Sequence, residues 1–267
     1  MLENLQANIC FIGVNNLSLA LIDCLIKKGL QREKIKVIDS KVLDNRDLQK
    51  QNIFKKTDIV ILLLPPENLK STIIPLKKWL TNKVIISMMA GIDITTLANL
   101  TGAKKIIRVI SNPPVLTYSG THVFITSEEM DQIDKNLIEM LYSATGQTFW
   151  AACEAQADAI IALSGSGPAY FFYILDCMIK TGTSLGLDKK FALDLALQAA
   201  SGAVDMVRKT NVSPADLCGK VTLNNGITES ALRMFDLGNV SDDIRLAMQA
   251  AYHRSKEITS EIIAEVS

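Results

Sequence analysis

The chain is short of histidine, lacks any paired-cysteine motif and carries no net charge, and each shortage removes a class of function. Its two histidines, His122 and His253, are too few and too far apart in sequence to suggest a metal site. The five cysteines (10, 24, 153, 177, 218) form no CxxC and cannot all pair, which points to reduced thiols in the cytoplasm. Lys+Arg and Asp+Glu both number 28, so no net field draws the protein to nucleic acid or to an anionic membrane. The longest strictly aliphatic run, Ile59–Leu64, is far below the roughly 20 residues that span a bilayer. The N-terminal Met1-Leu-Glu-Asn-Leu-Gln has no basic n-region of a secretion signal. No Ser-His-Asp or Cys-His set stands out, which argues against an acid–base hydrolase. The expectation is a soluble cytoplasmic protein with no metal, nucleic-acid or membrane partner.

What is present changes grammar near residue 152. Residues 1–152 alternate short apolar runs with helix-patterned segments, and residues 153–267 read as helices alone. The expected strands are 8–12, 35–38, 59–64, 84–88, 106–110 and 123–126; among the helices between them are 17–28, 69–80, 94–100 and 129–143. The runs are apolar throughout instead of alternating, as parallel strands covered on both faces require. The first domain is therefore expected to be a doubly wound α/β parallel sheet. The second is expected to be all-α, with helices at 154–163, 168–185, 189–209, 214–217, 228–236 and 241–266, rich in alanine and apolar enough to form an oligomer interface.

The first strand–turn–helix reads Gly13-Val14-Asn15-Asn16-Leu17-Ser18, with one glycine of a GxGxxG fingerprint retained. Such a turn sets a pyrophosphate at a helix N-terminus, where free N–H groups and the helix dipole favour negative charge. Asn15 stands at the second glycine, where its tolerance of left-handed angles would help. Asp39 ends the second strand and could bond the ribose hydroxyls of NAD, while Lys41 and Arg46 pull toward the 2′-phosphate of NADP. The turns Leu63-Leu64-Pro65-Pro66, Ala90-Gly91 and Ser111-Asn112-Pro113-Pro114 follow further strands and outline one crevice at their carboxyl ends. Farther on, Ala162-Leu163-Ser164-Gly165-Ser166-Gly167-Pro168-Ala169-Tyr170 reads as a break between helices, with its glycines freeing the backbone and Pro168 in the next first turn.

With these pieces in place, the chain resembles the Δ1-pyrroline-5-carboxylate reductases. The resemblance is carried by Asp158–Tyr170, Gln198–Ala203, Pro214–Asp236, Arg254–Glu257 and Arg108-Val-Ile-Ser-Asn-Pro-Pro114. It implies a Rossmann-type domain followed by a helical dimerisation domain, a homodimer that can assemble into a ring, and NADPH or NADH as cofactor. The implied reaction is reduction of the cyclic imine 1-pyrroline-5-carboxylate to L-proline, with the active site between the nicotinamide and the loop Val221–Thr228. In that loop Gly226 and the N–H groups of Ile227 and Thr228 would hold the substrate carboxylate. The Thr228 hydroxyl would bond the ring nitrogen as the catalytic group. Leu223, Ser164 and Gly165 would complete the substrate site, and Gly13–Leu17, Asp39, Leu63–Pro66, Ala90, Gly91 and Asn112 the cofactor site. Three positions depart from the family's pattern: Leu223 replaces a serine, Pro65 a lysine, and the cofactor turn has lost a glycine. A diverged paralogue with altered activity, or a non-catalytic binding protein, is the alternative these departures raise.

Overall fold

The computed structural model describes residues 2–39 and 48–266. They divide into two compact units, 1–166 with 251–267, and 167–250. Strands give way to helices between Trp150 and Glu154, near the boundary expected at 152/153.

The first unit is built on a seven-stranded sheet of order β2-β1-β3-β4-β5-β6-β7. Its strands are β1 (Ile9–Ile12), β2 (Ile35–Ile38), β3 (Ile59–Leu62), β4 (Val84–Ser87), β5 (Lys105–Ser111), β6 (Gly120–Thr126) and β7 (Gly146–Trp150). Helices α1 (Asn16–Lys27), α2 (Leu48–Lys56), α3 (Leu69–Ile73), α4 (Lys77–Leu80), α5 (Ile94–Thr101), α6 (Gln132–Tyr142) and α7 (Ala157–Ile160) lie between and after the strands. The segment 69–80, expected as one helix, is split into α3 and α4 by a 3-10 turn at Ile74–Leu76 that contains Pro75. Pro75 supplies no N–H for a continuous helical ladder.

Apolar side chains cover both faces, as the unbroken apolar strands required. Phe11, Ile61, Ile86, Ile107 and Phe124 meet Leu21, Leu25, Ile138 and Leu141 on one side. Cys10, Ile12, Val60, Leu62 and Ile85 meet Leu69, Ile73 and Leu97 on the other. One strand corrects the all-parallel expectation: β6 runs antiparallel to β5, pairing Ile107 with Thr126 and Ser111 with His122. A parallel return needs a crossover of a dozen or more residues, and residues 112–119 are too short for one. The apolar pattern reported burial on two faces, which is the same for either direction. β7, parallel to β6 at the sheet edge, was not expected, because Gly146-Gln-Thr-Phe-Trp150 has no apolar run.

The second unit holds α8 (Gly167–Ser184), α9 (Lys189–Thr210), α10 (Pro214–Val221), α11 (Ile227–Leu237) and the start of α12 (Val240–Val266). Helices α8 and α9 approach closely through small residues: a Cβ on Gly182 would lie 3.5 Å from the Ala192 Cβ. Most large apolar side chains here have no cover, with Phe171, Phe172 and Tyr173 more than 60% exposed. The helical stretch Glu154–Ser184 is long and apolar enough to cross a membrane by length and composition.

His122 shows how the β5–β6–β7 corner is held. It is fully buried, with Nδ1 2.7 Å from the Ser111 hydroxyl and Nε2 2.8 Å from the Thr145 hydroxyl. The Thr145 hydroxyl already donates to the Tyr142 carbonyl at 3.1 Å, so it accepts from Nε2–H and Nδ1 accepts from Ser111. Burial pushes the His122 pKa down to about 4. An unfolded histidine titrates near 6.5, so from about pH 6.5 down to 4 the unfolded chain binds a proton that the folded chain does not. Stability from this site is complete above that window and falls as pH drops through it, by about 2–3 kcal/mol at pH 4.5. Urea unfolding at pH 7 and pH 4.5 should show wild type losing that much more than His122→Asn; equal losses would contradict the assignment.

Candidate active site

The registers of β1 with β3, β3 with β4 and β4 with β5 are parallel, so these strands bring their carboxyl ends to one edge of the sheet. β1 is flanked by β2 and β3, and the chain direction of the winding switches there, where ligands of open α/β sheets bind. Gly13 leaves β1 at φ +105°, and its N–H bonds the Ile38 carbonyl at 2.9 Å. A Cβ on Gly13 would sit 2.5 Å from the Leu63 carbonyl oxygen, so both the angle and the space demand glycine. Val14, Asn15 and Asn16 are exposed, and the first-turn N–H groups of α1 at Asn16 and Leu17 have no intrahelical acceptor.

Asn15 does not use the left-handed freedom expected of it. It is the extended N-cap of α1, at φ −149°. Its Oδ1 accepts from Ser18 N–H at 2.9 Å, and its own N–H donates to the Ser18 hydroxyl at 2.9 Å. This reciprocal capping box engages donors that a glycine turn would leave open to a phosphate. Asp39 is exposed just past β2; Lys41 and Arg46 lie outside the described residues. Leu63 and Leu64 are buried behind β3, Pro65 is exposed and Pro66 opens a 3-10 turn. Ala90 is exposed, whereas Gly91, at φ +69°, is buried against Thr259 and Ile262 near the end of α12.

At β5 the sheet meets the segment that carries the Ser164–Tyr170 signature. Residues 161–165 form a π turn, with Ser166 N–H donating to the Ile161 carbonyl at 2.9 Å. The expected break between helices is thus one widened turn, and neither Gly165 nor Gly167 has a positive φ. Such turns occur often at functional sites. Polar ties hold this segment. Arg108, 3% exposed, pairs with Glu154, and Ser255 in α12 donates to Asp158 at 2.7 Å. Asn112 donates from Nδ2 to the Ser164 carbonyl at 3.1 Å. The Arg108–Glu154 pair leaves Arg108 Nε and Glu154 Oε2 buried without a partner. It is worth little net stability intact but is expensive to break.

In the second unit the loop before α11 has the expected N-terminal geometry. Gly226 is the N-cap, and a Cβ there would lie 2.7 Å from the Leu223 carbonyl oxygen. Ile227 and Thr228 follow in the first turn of an 11-residue helix, where N–H groups lack intrahelical acceptors. Leu223 and Ile227 are 74% and 94% exposed. Thr222, Asn225, Gly226, Glu229, Ser230 and Arg233 border an open hollow of about 650 Å³ beside this turn. Glu229 was missed: its Oε2 accepts from Asn225 N–H at 2.5 Å, with Asn225 left-handed at φ 58°. Glutamate in a helix's first turn is a legible signal, although here it accepts from the residue before the N-cap and not from the N-cap Gly226. Arg108, Glu154 and Ser255 were missed as ties because their spacing in sequence carries no pattern.

Among the described residues no group of His, Cys, Asp and Glu is placed to hold a metal ion. Gly13→Ala should cost about 1–3 kcal/mol in urea unfolding, from a side chain at positive φ facing the Leu63 carbonyl. A loss under 0.5 kcal/mol would show that the turn relaxes freely.

Comparison with known proteins follows this division of the chain. Residues 154–258 match the family described as pyrroline-5-carboxylate reductase dimerisation, and residues 8–91 that described as NADP oxidoreductase coenzyme F420-dependent. Pyrroline-5-carboxylate reductase of Pseudomonas aeruginosa is 32% identical over 266 residues, covering 95% of this chain and 97% of the other. That of Haemophilus influenzae is 32% identical over 262 residues, with 94% and 97% covered. The solved structure of a pyrroline-5-carboxylate reductase from Coxiella burnetii superposes with a TM-score of 0.82 at 30% identity, covering 95% of this chain and 99% of that one. Plasmodium falciparum pyrroline carboxylate reductase, crystallised with NADP bound, shares the fold at a TM-score of 0.82 and 23% identity, over 97% and 100% of the two chains. This chain belongs to the pyrroline-5-carboxylate reductase family.

Proposed function

We propose that the protein reduces Δ1-pyrroline-5-carboxylate to L-proline in the cytoplasm, as a homodimer that can assemble into a ring. The observation that carries this reading is family membership over nearly the full chain, joined to a positive-φ glycine turn and open helix N-terminus at the sheet's switch point. The residues there fit a dinucleotide. Gly13 lets the backbone turn sharply, and the first-turn N–H groups at Asn16 and Leu17, which have no intrahelical acceptor, are the pyrophosphate donors. Asn15 narrows that donor set. Asp39 favours a free 2′-hydroxyl, so both NADPH and NADH belong in the assay.

When bound, the nicotinamide supplies the hydride. The chain's own residues bind, orient and protonate. Ile227 and Thr228 N–H groups hold the substrate carboxylate, aided by the positive end of the α11 dipole. The Thr228 hydroxyl bonds the ring nitrogen, which gains a proton as the imine carbon gains the hydride. Ser164 and Gly165 are further candidates for contact with the substrate. The uncovered apolar residues of α8 and α9, Phe171, Phe172 and Tyr173 among them, are the surface that a second copy covers. This is also our reading of the apolar stretch Glu154–Ser184, whose composition would suit a membrane equally.

Asn15, Pro65 and Leu223 favour the second reading, a diverged member with altered or no turnover. Oxidation of NADPH or NADH by the folded dimer on addition of pyrroline-5-carboxylate supports reduction; no turnover with either cofactor rejects it. Leu223→Ser should lower KM for the imine by about tenfold to a hundredfold, the worth of one charge-assisted hydrogen bond. An unchanged KM would remove Leu223 from the carboxylate site.

A further inference from the structure

We infer that Asn112 is a positioning residue: it holds the Ser164 carbonyl and, through it, the Ser164–Gly165 peptide of the substrate site. The inference rests on the proposed imine reduction for its catalytic meaning and on the structure for its geometry. Asn112 follows β5 and is 7% exposed, and its polar ends are engaged within the protein. Its Oδ1 accepts from Thr121 N–H at 2.8 Å, which fixes the start of β6 and the orientation of the amide. Its Nδ2 donates to the Ser164 carbonyl at 3.1 Å.

That carbonyl lacks its usual α-helical donor for a reason written in the chain. In a helix it would accept from the N–H four residues on, and that residue is Pro168, which has none. The π turn alters the ladder at this point as well, since Ser166 N–H goes to Ile161. Ser164 is half-buried, and a carbonyl shielded from water is costly to leave without a donor, so the Asn112 amide helps fix the Ser164 peptide. The rotation of that peptide sets where the Ser164 side chain and the Gly165 N–H point. With each amide end bonded within the protein, Asn112 acts on the substrate site through Ser164.

Asn112→Asp tests this selectively. It keeps the acceptor for Thr121 N–H and replaces the donor with an oxygen that repels the Ser164 carbonyl. In the full-length protein, amides of residues 161–167 should exchange hydrogen faster than in wild type. The kcat for pyrroline-5-carboxylate should fall by about tenfold to a hundredfold, as small misplacements at a reacting centre do. Cofactor Kd should stay within about twofold. Pro168→Ala in the Asn112→Asp background returns a backbone N–H to that position and should recover part of both losses. Lost cofactor affinity with unchanged exchange would overturn the proposal in favour of direct cofactor contact. Faster exchange with unchanged kcat would make the bond structural only and also overturn it. If Asn112→Asp alone fails to fold, the double variant decides: recovered folding and protection support the proposal, and their absence overturns it. If wild type itself turns over no imine, imine reduction falls, and the exchange comparison alone judges Asn112, with unchanged protection overturning its hold on Ser164.

Discussion

The structure depends on β5 serving two neighbours at once. Its Ile107 and Val109 side chains enter the core under α1 and α6, while Arg108 and Ile110 face the segment that begins at Glu154. A strand's period of two makes this division automatic. Arg108 on β5 and Asn112 just past its end are four residues apart, and their partners Glu154 and Ser164 are ten apart on the segment that follows β7. The two elements therefore lie alongside one another in a fixed register. The π turn and its Gly165 take their places from that register.

A second dependence concerns helix N-termini. Both candidate binding turns, at Gly13–Leu17 and Gly226–Thr228, combine a glycine that the neighbouring carbonyl forbids to be anything else with open first-turn donors. In both, the chain answers part of its own donor set. The Asn15–Ser18 box engages donors at α1, and the Glu229 carboxylate takes the Asn225 N–H beside α11. Each adds negative or acceptor character where an anionic ligand would bind. The departures from the family's glycine-rich turns thus have a structural counterpart: local capping takes the place of openness.

Much of this was legible beforehand. The central parallel strands, the turn at Gly13 and the helical second half follow from apolar runs, glycine punctuation and alanine-rich periodicity. Burial on both faces looks alike for parallel and antiparallel strands, so the direction of β6 was hidden, although the short connection 112–119 held the answer. The edge strand β7 was hidden because its exposed Gln147, Phe149 and Trp150 give no apolar run. At the site, glycine, proline and N-terminal residues announced themselves locally. Arg108, Asn112 in its bond to Ser164, and Ser255 did not, because their partners lie 46, 52 and 97 residues away and only folding brings them together.

The central claim is that a chain with these capped, partly altered turns still passes a hydride from a nicotinamide to an imine. Deuterium transfer measures it most directly. The folded protein is given pyrroline-5-carboxylate and cofactor carrying deuterium at the transferable nicotinamide C4 position, and the product is weighed by mass spectrometry. Proline one mass unit heavier, labelled at the former imine carbon, is the predicted result. Absence of proline, or proline without the label, would contradict the account.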